Sequence, residues 1–325
     1  MLGVLCSRPK DGKKVSVDAD GNKRLEDRFT LGIGYRWLPS HRHFVGTVEQ
    51  KQRAILGTEI VNHTHIMDFS LTYDLTKRIT LNTSIPVIKS YRNQLYAPTA
   101  EFRVFSQGDA TFGFRAWLFR PPSESRRNIG IGLSLKTPTG RFRVAQDAVR
   151  AGQTLRATAD QSIQPGDGGT GFVADVNAYS PTYLNSWLFF QGTYLFNPRN
   201  TNGVSTFRTR RYENVFSVAD QYLVRGGLTR TIPKLRRMAF SIGMRMEGVP
   251  VRDLLGRSDG FRRPGYSLAV DPGWMAAVGK YSFSVSVPVA VRRDRKRSVT
   301  DYLNNFHGDA GFADYSIIAG VTRRF

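Results

Sequence analysis

The residues able to do chemistry are few and widely separated. His41 and His43, and again His63 and His65, stand at alternate positions. On a strand that spacing puts both imidazoles on one face, where a pair can ligate a transition metal. The two pairs flank one long loop that would let them meet, yet no carboxylate accompanies them at a metal-binding spacing. They rank as weak candidates beside ordinary loop histidines, and no cofactor is expected. Gly166-Asp167-Gly168-Gly169 lacks the lysine and following helix of a phosphate-binding loop, and its glycines fit positive-φ positions that launch a strand. There is no Gly-x-Ser-x-Gly elbow, and no enzyme is expected.

The remaining ionisable residues fall into two sets. Asp68, Asp109, Arg115, Asp175, Arg225, Arg245, Glu247 and Asp271 interrupt segments that are otherwise built of apolar and small residues. Arg208, Arg210 and Arg211, then Arg262 and Arg263, then Arg293, Arg295, Lys296 and Arg297 form basic clusters expected in loops. With 47 Lys and Arg against 26 Asp and Glu, the net charge is +21. Such a charge suggests nucleic acid, but no recognition helix, zinc finger or stacking platform accompanies the clusters, and no nucleic acid is expected. Basic loops can instead hold lipopolysaccharide phosphates or a surface protein partner.

The elements that carry these residues have a period of two. In Tyr281–Val291, Tyr281, Phe283, Val285, Val287, Val289 and Val291 share one face, and Ser282, Ser284, Ser286, Pro288 and Ala290 share the other. In 238–247, Met238, Phe240, Ile242, Met244 and Met246 oppose Ala239, Ser241, Gly243, Arg245 and Glu247. Segments 109–118 and 129–136 repeat the design, and weaker versions at 29–37, 64–74, 79–88, 170–179, 186–196, 217–229, 265–278 and 312–325 bring the number to twelve. A helical period is excluded across most of this stretch. The connections alternate long and short, with 139–169 the longest, which describes an up-and-down antiparallel barrel with tight turns at one end and long loops at the other.

Composition agrees with a folded chain. Apolar residues at 40% and aromatics at 12% exceed what a disordered chain carries. No apolar run approaches a spanning helix, and the single Cys6 excludes a disulfide framework. The ionisable residues decide between a soluble and a membrane barrel. Facing a dry core, each would cost several kcal/mol unless paired. Facing a wet lumen while the apolar face meets lipid, they are cheap. The expectation is therefore an all-β transmembrane barrel of about twelve strands over 29–325 in a bacterial outer membrane. Residues 1–28 read as a polar extension, in which Met1–Cys6 is too short and too poorly flanked for a complete signal peptide.

Four segments, GDATFGFRAWLF (108–119), IGIGLSLKTPTG (129–140), DQSIQPGDGGTGF (160–172) and SDGFRRPGY (258–266), resemble the outer-membrane transporter-type barrels named for the meta-pathway of phenol degradation. The likeness runs over most of 29–325. It implies a single-chain barrel and passage of small aromatic or hydrophobic compounds. The residues alone suggest passive diffusion of small solutes through a narrow lumen. Segment 139–169 would fold into that lumen, with Arg141, Arg143 and Arg150 biasing it toward anions. The competing expectation is a plugged, structural barrel whose basic loops grip a partner.

Overall fold

The computed structural model of the chain describes residues 28–325 except 95–99, 151–152, 207 and 233–234. All but Arg28 of the expected extension lies outside the described residues. Twelve staves close into one antiparallel barrel. They are β1 (Phe29–Val45), β2 (Asn62–Asp74), β3 (Ile79–Gln94), β4 (Ala100–Gln107 and Thr111–Trp117), β5 (Asn128–Lys136) and β6 (Gly171–Pro181). The second half comprises β7 (Ser186–Phe196), β8 (Gln221–Ile232), β9 (Leu235–Val249), β10 (Gly265–Val270 and Gly273–Val278), β11 (Tyr281–Ser286 and Val289–Arg295) and β12 (Ala310–Ala313 and Ile317–Arg324). Each stave pairs with the next. The seam between β12 and β1 runs from Thr30↔Arg324 to Trp37↔Ile317. Beyond it, Phe325 N–H donates to the Phe29 carbonyl at 3.1 Å, and Arg324 reaches Asp74 at 2.7 Å.

Alternation sets what each face meets. Leu31, Ile33, Met67, Phe69, Phe112, Phe114, Ile131, Leu133, Phe240, Ile242, Phe283 and Val285 are exposed on the outer wall. An exposed band this continuous is a lipid-facing surface. In the lipid no solvent replaces a missing backbone hydrogen bond, so closure of the sheet is obligatory. Arg323 also points outward, and its guanidinium lies 5.6 Å from the Tyr281 ring centre and 4.6 Å from that of Phe325. That position, at the tight-turn end, explains how a charge interrupts the apolar face of the last strand.

The staves are longer than their periodicity suggested at the loop end. β1 runs on to Val45 and β3 to Gln94, because there the strands leave the lipid and alternation no longer has to be apolar. β4, β10, β11 and β12 break mid-length, at 108–110, 271–272, 287–288 and 314–316. Thus Val287 and Pro288, expected within one unbroken alternation, lie in the break of β11. Arg293 and Arg295, expected in a loop, end that same strand. The long connections carry short elements of their own: a hairpin of Ala145–Arg150 with Gln153–Thr158, a second of Thr201–Ser205 with Val215–Ser217, and helical turns α1 (Gln52–Ile55) and α2 (Val299–Leu303).

Placing an arginine on the outer wall at Val285 should cost about 2–4 kcal/mol of folding free energy near the bilayer midplane. The same change at the inward Ser284 should cost less. Urea unfolding in lipid vesicles measures both, and equal costs would contradict the assigned faces.

Candidate functional site

The lumen is the site, and glycine shapes its wall. On β5, Gly132 lies opposite Arg115 of β4 on one side and Asp175 of β6 on the other. Arg115 donates to Asp175 across it at 2.5 Å, and Asp175 also accepts from Asn177 at 2.7 Å. A methyl group at Gly132 would stand 2.1 Å from the Asp175 carboxylate, so only the absent side chain lets staves β4 and β6 join over β5. A second pair lies farther along the wall. Asp271, in the break of β10, donates its backbone N–H to the Gly243 carbonyl of β9 at 2.8 Å. Its carboxylate lies 2.9 Å from Arg225 of β8, whose guanidinium also sits 5.3 Å from the Phe189 ring centre.

Glu247 of β9 holds two arginines. Arg245 on its own stave donates to it at 2.9 Å, and Arg36 of β1 at 2.5 Å. Asp68 of β2 accepts from Ser84 of β3. The residues expected to line the lumen, Asp68, Arg115, Asp175, Arg225, Arg245, Glu247 and Asp271, thus contact one another or a polar neighbour on an adjoining stave. They are solvated largely by one another, since Arg225, Arg245 and Asp271 are 7%, 6% and 1% exposed. Arg36, not foreseen as a lumen residue, joins them. Its position on the face of Gly32 and Gly34 is the signal that would have found it.

Asp109 lies higher, in the break of β4. Its carboxylate accepts from Gly140 N–H at 2.9 Å and Asp167 N–H at 3.2 Å, and Lys136 stands 3.5 Å away while binding Asp167 at 2.5 Å. This knot ties the start of the 137–170 loop to its end. Gly168, between them, takes φ +78°, the conformation expected of that glycine run.

The 137–170 loop does fold against the inner wall. Val144, Ala159 and Ile163 pack on Phe102 and Val104 of β4. From there Asp160, fully buried, reaches Arg92 of β3 at 3.3 Å and takes a two-pronged pair of bonds from Arg263 at 2.7 and 2.8 Å. Such paired bonds are strong and direction-specific. Because β3 and the segment before β10 lie on opposite sides, this carboxylate bridges the mouth. Arg262 beside it clamps Asp253 at 2.5 and 2.6 Å and also holds Ser217 Oγ at 2.6 Å.

Many residues of the basic clusters make contacts within this cap. Arg208 pairs with Glu213 at 3.2 Å and lies 3.9 Å from the Phe261 ring centre. Arg210 lies 3.4 Å from that of Phe306, and Arg211 4.7 Å from that of Tyr212. Arg293 pairs with Asp314. Arg295 binds Asp301 at 2.9 Å, and Asp301 also completes the capping box of α2 with Ser298. Lys296 pairs with Asp294 at 2.6 Å, and Arg297 donates to the Phe306 carbonyl at 2.9 Å. Arg208, Arg293, Arg295 and Arg297 thus make their contacts within the loops, while Arg210, Arg211 and Lys296 stay exposed.

The histidine pairs do not converge. His63 and His65 face outward against Trp37, with ring centres 6.3 and 6.2 Å away, and Tyr35 Oη lies 2.8 Å from His65 Nδ1. His43 is buried between Asp309 at 3.1 Å and the Ile60 carbonyl, and His41 stands 3.9 Å from Asp314. Among the described residues no three His, Cys, Asp or Glu side chains gather at a metal-holding distance.

Two cap carboxyls are tuned by this packing. Burial acts to raise Asp160, but the charges of Arg263 and Arg92 outweigh it and hold the group well below the ordinary carboxylate range. Burial likewise acts to raise Asp309, and the bond to His43 with the charge of Arg53 brings it down to about 2. Both are lower folded than unfolded. Their stabilisation is therefore complete above the unfolded value of 3.8 and is lost as pH falls below it, for Asp309 toward about 2. Pepsin cleavage within 296–309 should rise steeply over that interval, and cleavage within 137–170 should rise as acid protonates Asp160. At neutral pH, Asp160→Asn should loosen the same loops at a cost of about 3–5 kcal/mol, since it leaves Arg263 and Arg92 uncompensated. Limited proteolysis by a neutral protease measures it.

No family model matches the chain and no curated protein is significantly similar to it. Among solved structures, an outer membrane channel from Pseudomonas putida F1 is 11% identical, and the likeness covers 98% of this chain and 99% of that one with a TM-score of 0.61. Fainter likenesses reach the β domain of the Bordetella autotransporter BrkA, 12% identical over 90% and 99% of the two chains with a TM-score of 0.49. They also reach the toluene transporter TodX of Pseudomonas putida, 7% identical over 92% and 90% with a TM-score of 0.45. The chain therefore has the fold of an outer-membrane channel, with a closed lipid-facing barrel suited to the bacterial outer membrane.

Proposed function

We propose that the protein is a passive outer-membrane channel for small solutes. The observation that carries this reading is the division of the wall. Every stave presents apolar residues to lipid and Gly, Ser, Thr or paired ionic residues to the lumen, an arrangement a merely structural barrel does not need. Whole-length likeness to an outer-membrane channel supports it.

The inner wall also narrows the solute class. At mid-height Arg36, Arg115, Arg225 and Arg245 stand against Asp68, Asp175, Glu247 and Asp271, four charges of each sign. Despite the net charge of +21, the path is charge-balanced. The anion bias expected from arginines in the long loop gives way to a preference for small uncharged molecules. The structural alternative has less to draw on, because Arg208, Arg293 and Arg295 are paired within the cap.

Vesicles carrying the purified protein should swell in small neutral solutes faster than empty vesicles, and more slowly in solutes of either charge. Equal rates with and without protein, across a size series, would reject the channel.

A further inference from the structure

One inward ion pair differs from the others in reach. Arg115–Asp175 and Arg225–Asp271 each join staves two apart, lying flat along the wall. Arg36 and Glu247 belong to β1 and β9, which are separated by β10, β11 and β12. Four interstrand steps amount to about 19 Å of wall, yet the guanidinium and carboxylate meet at 2.5 Å. The pair must therefore cut across the lumen as a chord. It is anchored at one end, because Arg245 holds the second oxygen of Glu247 at 2.9 Å.

The surroundings of the bar set it apart from the pairs that lie along the wall. Glu247 and Arg245, with Leu38, Ser267, Ala290 and Ser316, border a small cavity of about 20 Å³, room for about one water. The side chains of Arg36 and Glu247 keep 27% and 29% of their surface exposed, against 8% and 1% for Arg225 and Asp271. The crossing pair is therefore the more accessible one.

We infer that Arg36 and Glu247 are the specificity-determining pair of the channel, the bar that sets both the size and the charge of what passes. The inference rests on the channel reading and adds to it a location and a rule. Width is set by the reach of Arg36. Charge is set by Glu247, whose one negative charge faces two guanidiniums.

Single-channel recording on the full-length protein in a planar bilayer under a potassium chloride gradient tests the two roles separately. Arg36→Ser removes the crossing arm and should raise conductance at least about twofold, since flow follows the radius of the constriction. Glu247→Gln keeps the size but leaves Arg36 and Arg245 uncompensated, and should move the reversal potential toward chloride. Unheated gel mobility shows that each variant still closes its barrel. A silent wild type beside a conducting Arg36→Ser would also support the bar, as a closure. Conductance and reversal potential equal in wild type and both variants would overturn the inference while leaving the channel intact. Silence of wild type and variants alike would overturn the channel itself.

Discussion

Hydrocarbon offers no hydrogen-bond partner, and that single fact organises the molecule. A strand edge exposed to lipid leaves each unpaired N–H and C=O at a cost of several kcal/mol. The sheet must therefore close, and β12 must find β1 across nearly the whole sequence. Alternation then makes every stave a two-faced ribbon. Ile131, Leu133 and Phe283 meet lipid, and the small or charged residues between them meet the lumen with no other place to go.

Charges confined to a narrow interior must neutralise one another. In a wide pore water would solvate them, but twelve staves enclose too little space for that. The solution is geometric: a glycine such as Gly132 removes the side chain between two long ones, and Arg115 can then lie across to Asp175. The same economy governs the cap. Asp160 and Asp301 are buried because Arg263, Arg92 and Arg295 surround them, so the long loops form one connected lid. Arginine suits this use, with a planar fork that makes two directed bonds and a face that stacks on rings such as Phe261.

The barrel was legible in the sequence because its cause is repeated twelve times. Tyr281, Phe283 and Val285 against Ser282, Ser284 and Ser286 state the two faces locally, and no distant residue alters them. The inward placement of Arg225, Arg245 and Glu247 follows from the same parity. What parity does not encode is partnership. Arg36 and Glu247 are 211 residues apart, and their meeting depends on the cross-section of the closed barrel, a property of all the staves together. The partners of the loop arginines were hidden for a related reason: Arg295 has the same local sequence whether it faces solvent or the buried Asp301 it meets. The strand ends at Val45 and Gln94 were missed because alternation fades where the lipid ends.

A bar made of an ion pair has properties that a bulky apolar plug lacks. A plug of leucine or phenylalanine in a polar lumen would leave the surrounding arginines without partners, a penalty larger than any packing it contributed. Arg36 and Glu247 close the gap while answering the charges already there. Arg36 and Glu247 keep 27% and 29% of their side-chain surface exposed, so solvent screens their contact more than it screens the wall pair of Arg225 and Asp271. Arg245, which anchors the other oxygen of Glu247, is 6% exposed. The two contacts of one carboxylate therefore differ in burial, and the one on the wall side is the better protected from water and salt.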